Sequence, residues 1–244
     1  MGTEGVSGLR RAFYAPRGSR LADLIALLHP PYTAWHLSYV VIGAALATSL
    51  DPVRLAGSLA AFGLGTGLLA HSLDEWHGRP LRTGFGDSAL LGFAALAGVG
   101  VLAVTVVGAV VVSPWVVAWA VVGAAAAIGY AIERPSWLHG AWGFALAWGA
   151  FPVLAGYWAQ AENLSVEAGA AAAAAALFSA TQRSLSLPAR RVRREAGDAE
   201  LELQTDVGTE RWSRSAVLAT WERPLLLLAA AMVVLSTALA LRHA

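Results

Sequence analysis

The chain has no cysteine among its 244 residues, and only 14% of them are charged. Lysine is missing too, so every one of the seventeen basic residues is arginine. Without cysteine there can be no disulfide, zinc thiolate or thiol nucleophile. The net charge of +1 says little by itself, and the low charged fraction argues against a nucleic-acid binder. Apolar residues fill the space: they make up 57% of the chain, and mean hydropathy is +0.58. Soluble domains are about 45–50% apolar and about a quarter charged. Composition therefore argues against a disordered chain and a water-soluble enzyme, and predicts an integral membrane protein.

A bilayer-crossing helix needs about 20 mostly apolar residues. Seven stretches meet that need, at roughly 33–50, 53–71, 88–112, 114–132, 138–160, 165–182 and 217–241. The expected fold is an all-α bundle of about seven transmembrane helices, a single domain over 1–244. Ser113-Pro114 separates the third span from the fourth, and proline suits the first position of a helix. Arginine sets the orientation. With the N-terminus in the cytoplasm, Arg10, Arg11, Arg17, Arg20, Arg79, Arg82, Arg134 and the eight from Arg183 to Arg223 lie inside. Only Arg54 and Arg242 are then left outside. The expected location is the cytoplasmic membrane, as a multi-pass protein in contact with lipid.

Segments 72–87 and 183–216 then become long, charged cytoplasmic loops. In the cytoplasmic segment 1–31, Leu21, Leu24, Ile25 and Leu28 recur at helical spacing beside Arg17 and Arg20, as in a helix lying along the interface. No small-residue cleavage site comes after that stretch, so it does not read as a signal peptide. The run Ala170–Ala176 fits close helix packing through small side chains.

Chemistry concentrates in the first long loop, His71-Ser72-Leu73-Asp74-Glu75-Trp76-His77-Gly78-Arg79-Pro80-Leu81-Arg82. His71, Asp74 and Glu75 sit at i, i+3 and i+4, on one face of a continuing helix. Two carboxylates and an imidazole at the end of an apolar helix suggest a divalent-cation site. Oxygen ligands suit Mg2+, and added histidine favours Zn2+. Arg79 and Arg82 come next, and guanidinium groups hold phosphate in a bidentate way. His36 lies at a similar depth in the first span, as an interfacial residue or as a proton acceptor or metal ligand in the same cavity.

At this loop the sequence resembles the UbiA superfamily of intramembrane prenyltransferases. That family closes its second helix with Asn-Asp-x-x-Asp-x-x-x-Asp and then an Arg-Pro-Leu-type segment. Here His71, Ser72, Glu75 and Arg79 stand at the four motif positions, and Arg79-Pro80-Leu81 and Thr83-Gly84 resemble the segment that comes after the motif. Pro31 to Leu37, leading to Gly43-Ala44, is similar to the start of the family's first helix. Tyr130, Arg134 and Leu138 to Gly143 are similar to its fourth-to-fifth loop, where a basic residue helps hold the diphosphate. Two features depart from the pattern. The Asp-x-x-x-Asp motif that closes the family's sixth helix is replaced by Thr181-Gln182-Arg183-Ser184-Leu185-Ser186, and seven spans stand where the family usually has nine.

The resemblance implies an enzyme acting on a polyprenyl diphosphate, by prenyl transfer or a related cyclisation, with a lipid or aromatic acceptor. Asp74, Glu75 and His71 would be the catalytic and metal-holding residues. Arg79, Arg82, Arg134 and Arg183 would bind the diphosphate. Trp35, Tyr39, Tyr130 and Trp142 would shield the allylic cation with their faces, although aromatic residues also gather at membrane interfaces for their own reasons.

Two further readings stand beside this one. His71, Asp74, Glu75 and His77 could bind a metal and activate water in a membrane hydrolase. Alternatively, the altered motifs mark a non-catalytic, lipid-binding relative. The segment from Pro188 to Trp212 mixes Arg190, Arg191, Arg193 and Arg194 with acids including Asp198. It reads as a solvated loop, as a cap over the head group, or as a patch resting on anionic lipid.

Overall fold

The computed structural model describes Tyr14, residues 19–196 and residues 200–244. Arg10, Arg11, Arg17 and Asp198 lie outside the described residues. Helices account for almost everything else. Helix α1 covers Arg20–Leu27 and α2 covers Pro30–Ala45. Helix α3 runs from Pro52 to Gly78, with a π-helical stretch at Gly63–Ala70. Helices α4 and α5 are Asp87–Val111 and Val116–Ala131. Helix α6 comprises Ala141–Ala145, a π-helical turn Leu146–Ala150 and Phe151–Ala161. Helix α7 is Val166–Glu195, and α8, Arg214–Ala240, ends in a 3-10 turn, Leu241–His243. Between the last two lies an antiparallel hairpin of β1, Leu201–Thr205, and β2, Gly208–Trp212.

Local chemistry explains most boundaries. Ser19, Asp51, Ser165 and Ser213 each turn a side-chain oxygen onto a backbone N–H of the helix's first turn. Those donors have no partner within the helix, which is why such residues favour the position. Pro30 and Pro52 open α2 and α3, where a missing N–H costs nothing.

Among the described residues, three helices are long and apolar enough to cross a membrane: Pro52–Gly78, Asp87–Val111 and the α8 segment to His243. Helix α5 is equally apolar but shorter. Their outward faces carry large apolar side chains, among them Leu96, Val99, Val106 and Val110 on α4 and Leu227 and Val234 on α8. A contiguous apolar exterior of this kind suits hydrocarbon, not water. The remaining expected spans form helices as well.

The centre of the bundle is built from small residues. Helices α2 and α6 cross so closely that a Cβ on Gly43 would lie 2.0 Å from the Val153 carbonyl oxygen. One on Gly156 would lie 2.3 Å from that of Val40. Helix α7 meets α6 in the same manner, with Gly149 against the Ala175 backbone and Ala172, Ala175 and Ala176 buried. The alanine run therefore packs as its composition suggested. Trp35, Tyr39, Val153, Ala229 and Met232 fill the space beside it.

Two expectations about the long loops need correction. The first segment is helical as far as Gly78, leaving only 79–86 as loop. The second is not a loop over 183–216: α7 continues through Pro188 to Glu195, and a hairpin comes after it. Proline inside a helix removes one hydrogen bond and crowds the previous turn. Tertiary contacts offset that cost here. Gln182, Arg183, Ser186 and Ala189 are buried, Arg193 pairs with Glu222 of α8, and Arg214 caps the Val192 and Arg193 carbonyls at 2.9 Å each.

Candidate functional site

The stretch of α7 beyond Arg183 carries a regular stripe. Gln182, Ser186, Ala189, Arg190, Arg193 and Arg194 recur at the spacing of one helix face. All six line a cavity of about 290 Å³. His29, Tyr32 and His36 form its wall on one side, and Thr66, Ala70, His71 and Asp74 of α3 form the next. Tyr130 contributes from the end of α5, Glu133 and His139 from the connection after it, Phe144 and Trp148 from α6, and Glu222 from α8. Both π-helical segments contribute, through Thr66 and Ala70 and through Trp148. π-helical turns are rare and frequently mark functional sites. His29 and Glu133 also hold left-handed backbone conformations at φ 46° and 56°, uncommon for such residues and concentrated at functional sites.

Charge around the cavity is unevenly satisfied. Arg193 is bound to Glu222, and His139 Nε2 lies 3.7 Å from Glu133. Arg190 and Arg194, both exposed at the mouth, make no hydrogen bond or ion pair with any described residue. Burial and then the neighbouring Arg190 charge push the Arg194 guanidinium below its ordinary range. Two crowded, unpaired guanidinium groups favour an anion between them.

The histidines are oriented by backbone carbonyls. His36 Nδ1 donates to Trp148 O at 2.8 Å, and His71 Nδ1 donates to Gly67 O at 3.2 Å. A carbonyl can only accept, so in the neutral rings Nε2 is left as the acceptor. His29 stacks near His71, with ring centroids 4.2 Å apart, and bonds the Tyr14 hydroxyl. Desolvation and then His71 push His29 well below the usual imidazole range.

Of the residues expected from sequence, His71, Asp74, His36 and Tyr130 line this cavity. Glu75 does not. It is completely buried, and its carboxylate accepts from Leu81 N (2.8 Å), Thr83 N (2.7 Å) and Thr83 Oγ1 (3.0 Å), clasping the 79–86 loop. His77 is exposed outside the cavity. The four arginines expected to hold diphosphate lie elsewhere too. Arg79 donates to Phe85 O at 2.6 Å and pairs with Asp87. Arg82 and Arg134 are exposed away from the cavity. Arg183 donates to the Tyr130 hydroxyl (3.2 Å) and His139 O (2.6 Å) and sits 5.5 Å over Phe144, bracing the cavity wall from behind. Trp35 and Tyr39 are core residues joined by a hydrogen bond, and Trp142 is 70% exposed.

Sequence reasoning gave Gln182 and Trp148 no role, and named Arg190 and Arg194 only within a charged segment read as a solvated loop, a cap or a lipid-facing patch. The signal for Gln182, Arg190 and Arg194 was the helical repeat from Gln182 to Arg194, hidden by reading 183–216 as a loop. Trp148 carried no local signal.

The expected metal centre does not assemble. Among the described residues no group of three or more His, Asp or Glu side chains is placed to hold a metal ion. The loop has taken up the Glu75 oxygens, so His71 and Asp74 do not form a ligand set with it for Mg2+ or Zn2+.

Comparison with known proteins finds no matching family model, no similar curated protein and no similar solved structure.

Proposed function

We propose that this is a multi-pass protein of the cytoplasmic membrane, related to the UbiA superfamily, that acts on a polyprenyl diphosphate at this cavity. One observation carries the reading. The polar cavity shares Thr66 and Trp148 with a second, apolar crevice of about 600 Å³ between α3, α4, α5 and α6. The crevice is walled by residues such as Leu69, Val104, Trp119, Phe151 and Trp158. A polar chamber with unpaired guanidinium groups at its mouth, separated from an apolar slot only by shared wall residues, suits an amphiphile with an anionic head.

The head would lie against Arg190 and Arg194, which neutralise charge that grows on a departing diphosphate. The tail would pass Thr66 and Trp148 into the crevice. The Tyr130 ring centroid lies 5.8 Å from that of Phe144 and 5.5 Å from that of Trp148, an aromatic cluster suited to stand beside a developing allylic cation. No part of this scheme runs through a metal. A second reading, lipid binding without catalysis, is favoured by the missing ligand set.

The test is binding and cleavage of geranylgeranyl diphosphate by protein in nanodiscs, with Mg2+ or with EDTA. Arg190→Ala and Arg194→Ala should each weaken binding about tenfold, the loss of one charge-assisted contact of about 1.5 kcal/mol or more. Asp74→Asn should tighten it severalfold, because Asp74 competes for the same arginine field. A metal ligand would give the opposite sign. Binding without cleavage under every condition selects the lipid-binding reading; no binding at all refutes both.

A further inference from the structure

Helix α1 carries apolar residues on two opposite faces. Ala22, Asp23, Ala26 and Leu27 are buried and fix the helix to the bundle. Leu27 packs with Leu81 and Leu90, and the Asp23 carboxylate accepts from Gly84 N at 2.9 Å. The larger apolar side chains lie on the other face. Leu21, Leu24, Ile25 and Leu28 recur there at helical spacing, yet Leu21 is 65% exposed and the other three are only half-buried. Arg20, beside them, is exposed and makes no hydrogen bond or ion pair with any described residue.

The joint to α2 keeps that face outward. Leu28 O accepts from Thr33 Oγ1 at 2.6 Å, and Tyr32 N and Thr33 N donate to His29 O at 3.0 and 2.9 Å. Held by Asp23 along one side and by this joint at its end, α1 is kept from rolling its stripe inward.

The depth of α1 follows from its contact with α4. Leu90, on which Leu27 packs, is in the first turn of α4, and Leu91 and Leu96 beyond it face outward. Helix α1 therefore lies at the end of that apolar exterior and continues it. Trp76, on the last turn of α3 against which α1 also packs, is exposed as well. Tryptophan gathers where a bilayer meets water.

We propose that α1 docks on anionic lipid of the cytoplasmic leaflet. Leu21, Leu24, Ile25 and Leu28 enter the boundary between head groups and chains, and Arg20 meets the acidic head group. An outward apolar stripe beside an unpaired guanidinium, continuous with a lipid-facing helix, fits that surface. The inference rests on the membrane reading above and is independent of the diphosphate.

The chain has no cysteine, so single introduced cysteines report without interference. Leu21→Cys, Leu96→Cys and Val207→Cys are each labelled with bimane, as full chains in nanodiscs. The discs hold two parts phosphatidylcholine to one part phosphatidylglycerol, with nitroxide lipids labelled near the glycerol or at mid-chain. Bimane on α4 at Leu96 should be quenched by the mid-chain label. At Val207, 98% exposed at the hairpin tip, neither label should quench it. At Leu21 the shallow label should quench, about fivefold more strongly on phosphatidylglycerol than on phosphatidylcholine, the weight of one arginine near an acidic surface. Arg20→Gln should remove most of that preference without changing the melting temperature.

Quenching at Leu96 but not at Leu21 overturns the docking and leaves the stripe to a protein partner. Quenching at Leu21 without a preference for phosphatidylglycerol, or with a preference that Arg20→Gln does not move, overturns anionic lipid as the partner. No quenching at either position overturns the membrane reading and the docking together.

Discussion

Replacing Glu75 with glutamine separates a loop clasp from a metal ligand. In the folded protein both carboxylate oxygens are occupied, Oε1 by Thr83 N and Thr83 Oγ1 and Oε2 by Leu81 N. Glutamine can keep the two contacts on one oxygen, but its NH2 group then faces the Leu81 N–H, donor against donor. One buried N–H loses its partner, and the charge that strengthened the other two bonds is gone. A buried unsatisfied donor costs about 1–3 kcal/mol, so a loss of about 2 kcal/mol is expected. In a domain of this size each kcal/mol moves the melting temperature by about 2–4 °C, giving a drop of about 4–8 °C. Melting would be monitored by intrinsic tryptophan fluorescence in nanodiscs, beside pyrophosphate titration. Affinity should stay within about twofold, because Glu75 does not line the cavity. A Glu75→Gln protein that melts like the wild type but no longer binds pyrophosphate would refute the clasp.

Other consequences are equally direct. Gly156→Val places side-chain atoms on the Val40 carbonyl and should cost about 3 kcal/mol or more, seen as lost folded yield, whereas the same change at Gly57, where nothing lies within 4 Å, should be tolerated. Glu222→Ala strands Arg193 in a partly buried pair and should destabilise by about 2–4 kcal/mol, with faster proteolysis between α7 and α8. His29 is held neutral by its surroundings, while the unfolded chain gains a proton below about pH 6.5. Stability should therefore be unaffected by His29 at higher pH and fall as pH drops below that value. His29→Asn, which tolerates the left-handed backbone, should flatten the decline; parallel melting curves would contradict the assignment.

Much of the helical framework was readable directly. Capping serines, Asp51 and the opening prolines mark helix starts because they satisfy orphaned donors locally. The alanine and glycine positions announce close helix crossings because no other side chain fits there. The apolar runs over 53–71, 88–112 and 217–241 fall on the three helices that, among the described residues, are long enough to cross a membrane. His71, Asp74, His36 and Tyr130 were read as site residues, and they do share one cavity.

Sequence by itself determined the helices, their caps and the small-residue crossings, since each depends on spacing along one segment. Only the tertiary structure decided which charges serve the fold and which face the cavity. Glu75 and Asp74 are neighbours in sequence, yet the helix turns one toward the 79–86 loop and the other into the chamber. Arg183 and Arg190 lie two turns apart on α7, yet Tyr130 and the His139 carbonyl engage the first, and no described residue forms a hydrogen bond or ion pair with the second. Partners for a buried charge come from distant segments, so burial and pairing are properties of the packed bundle and are absent from local pattern.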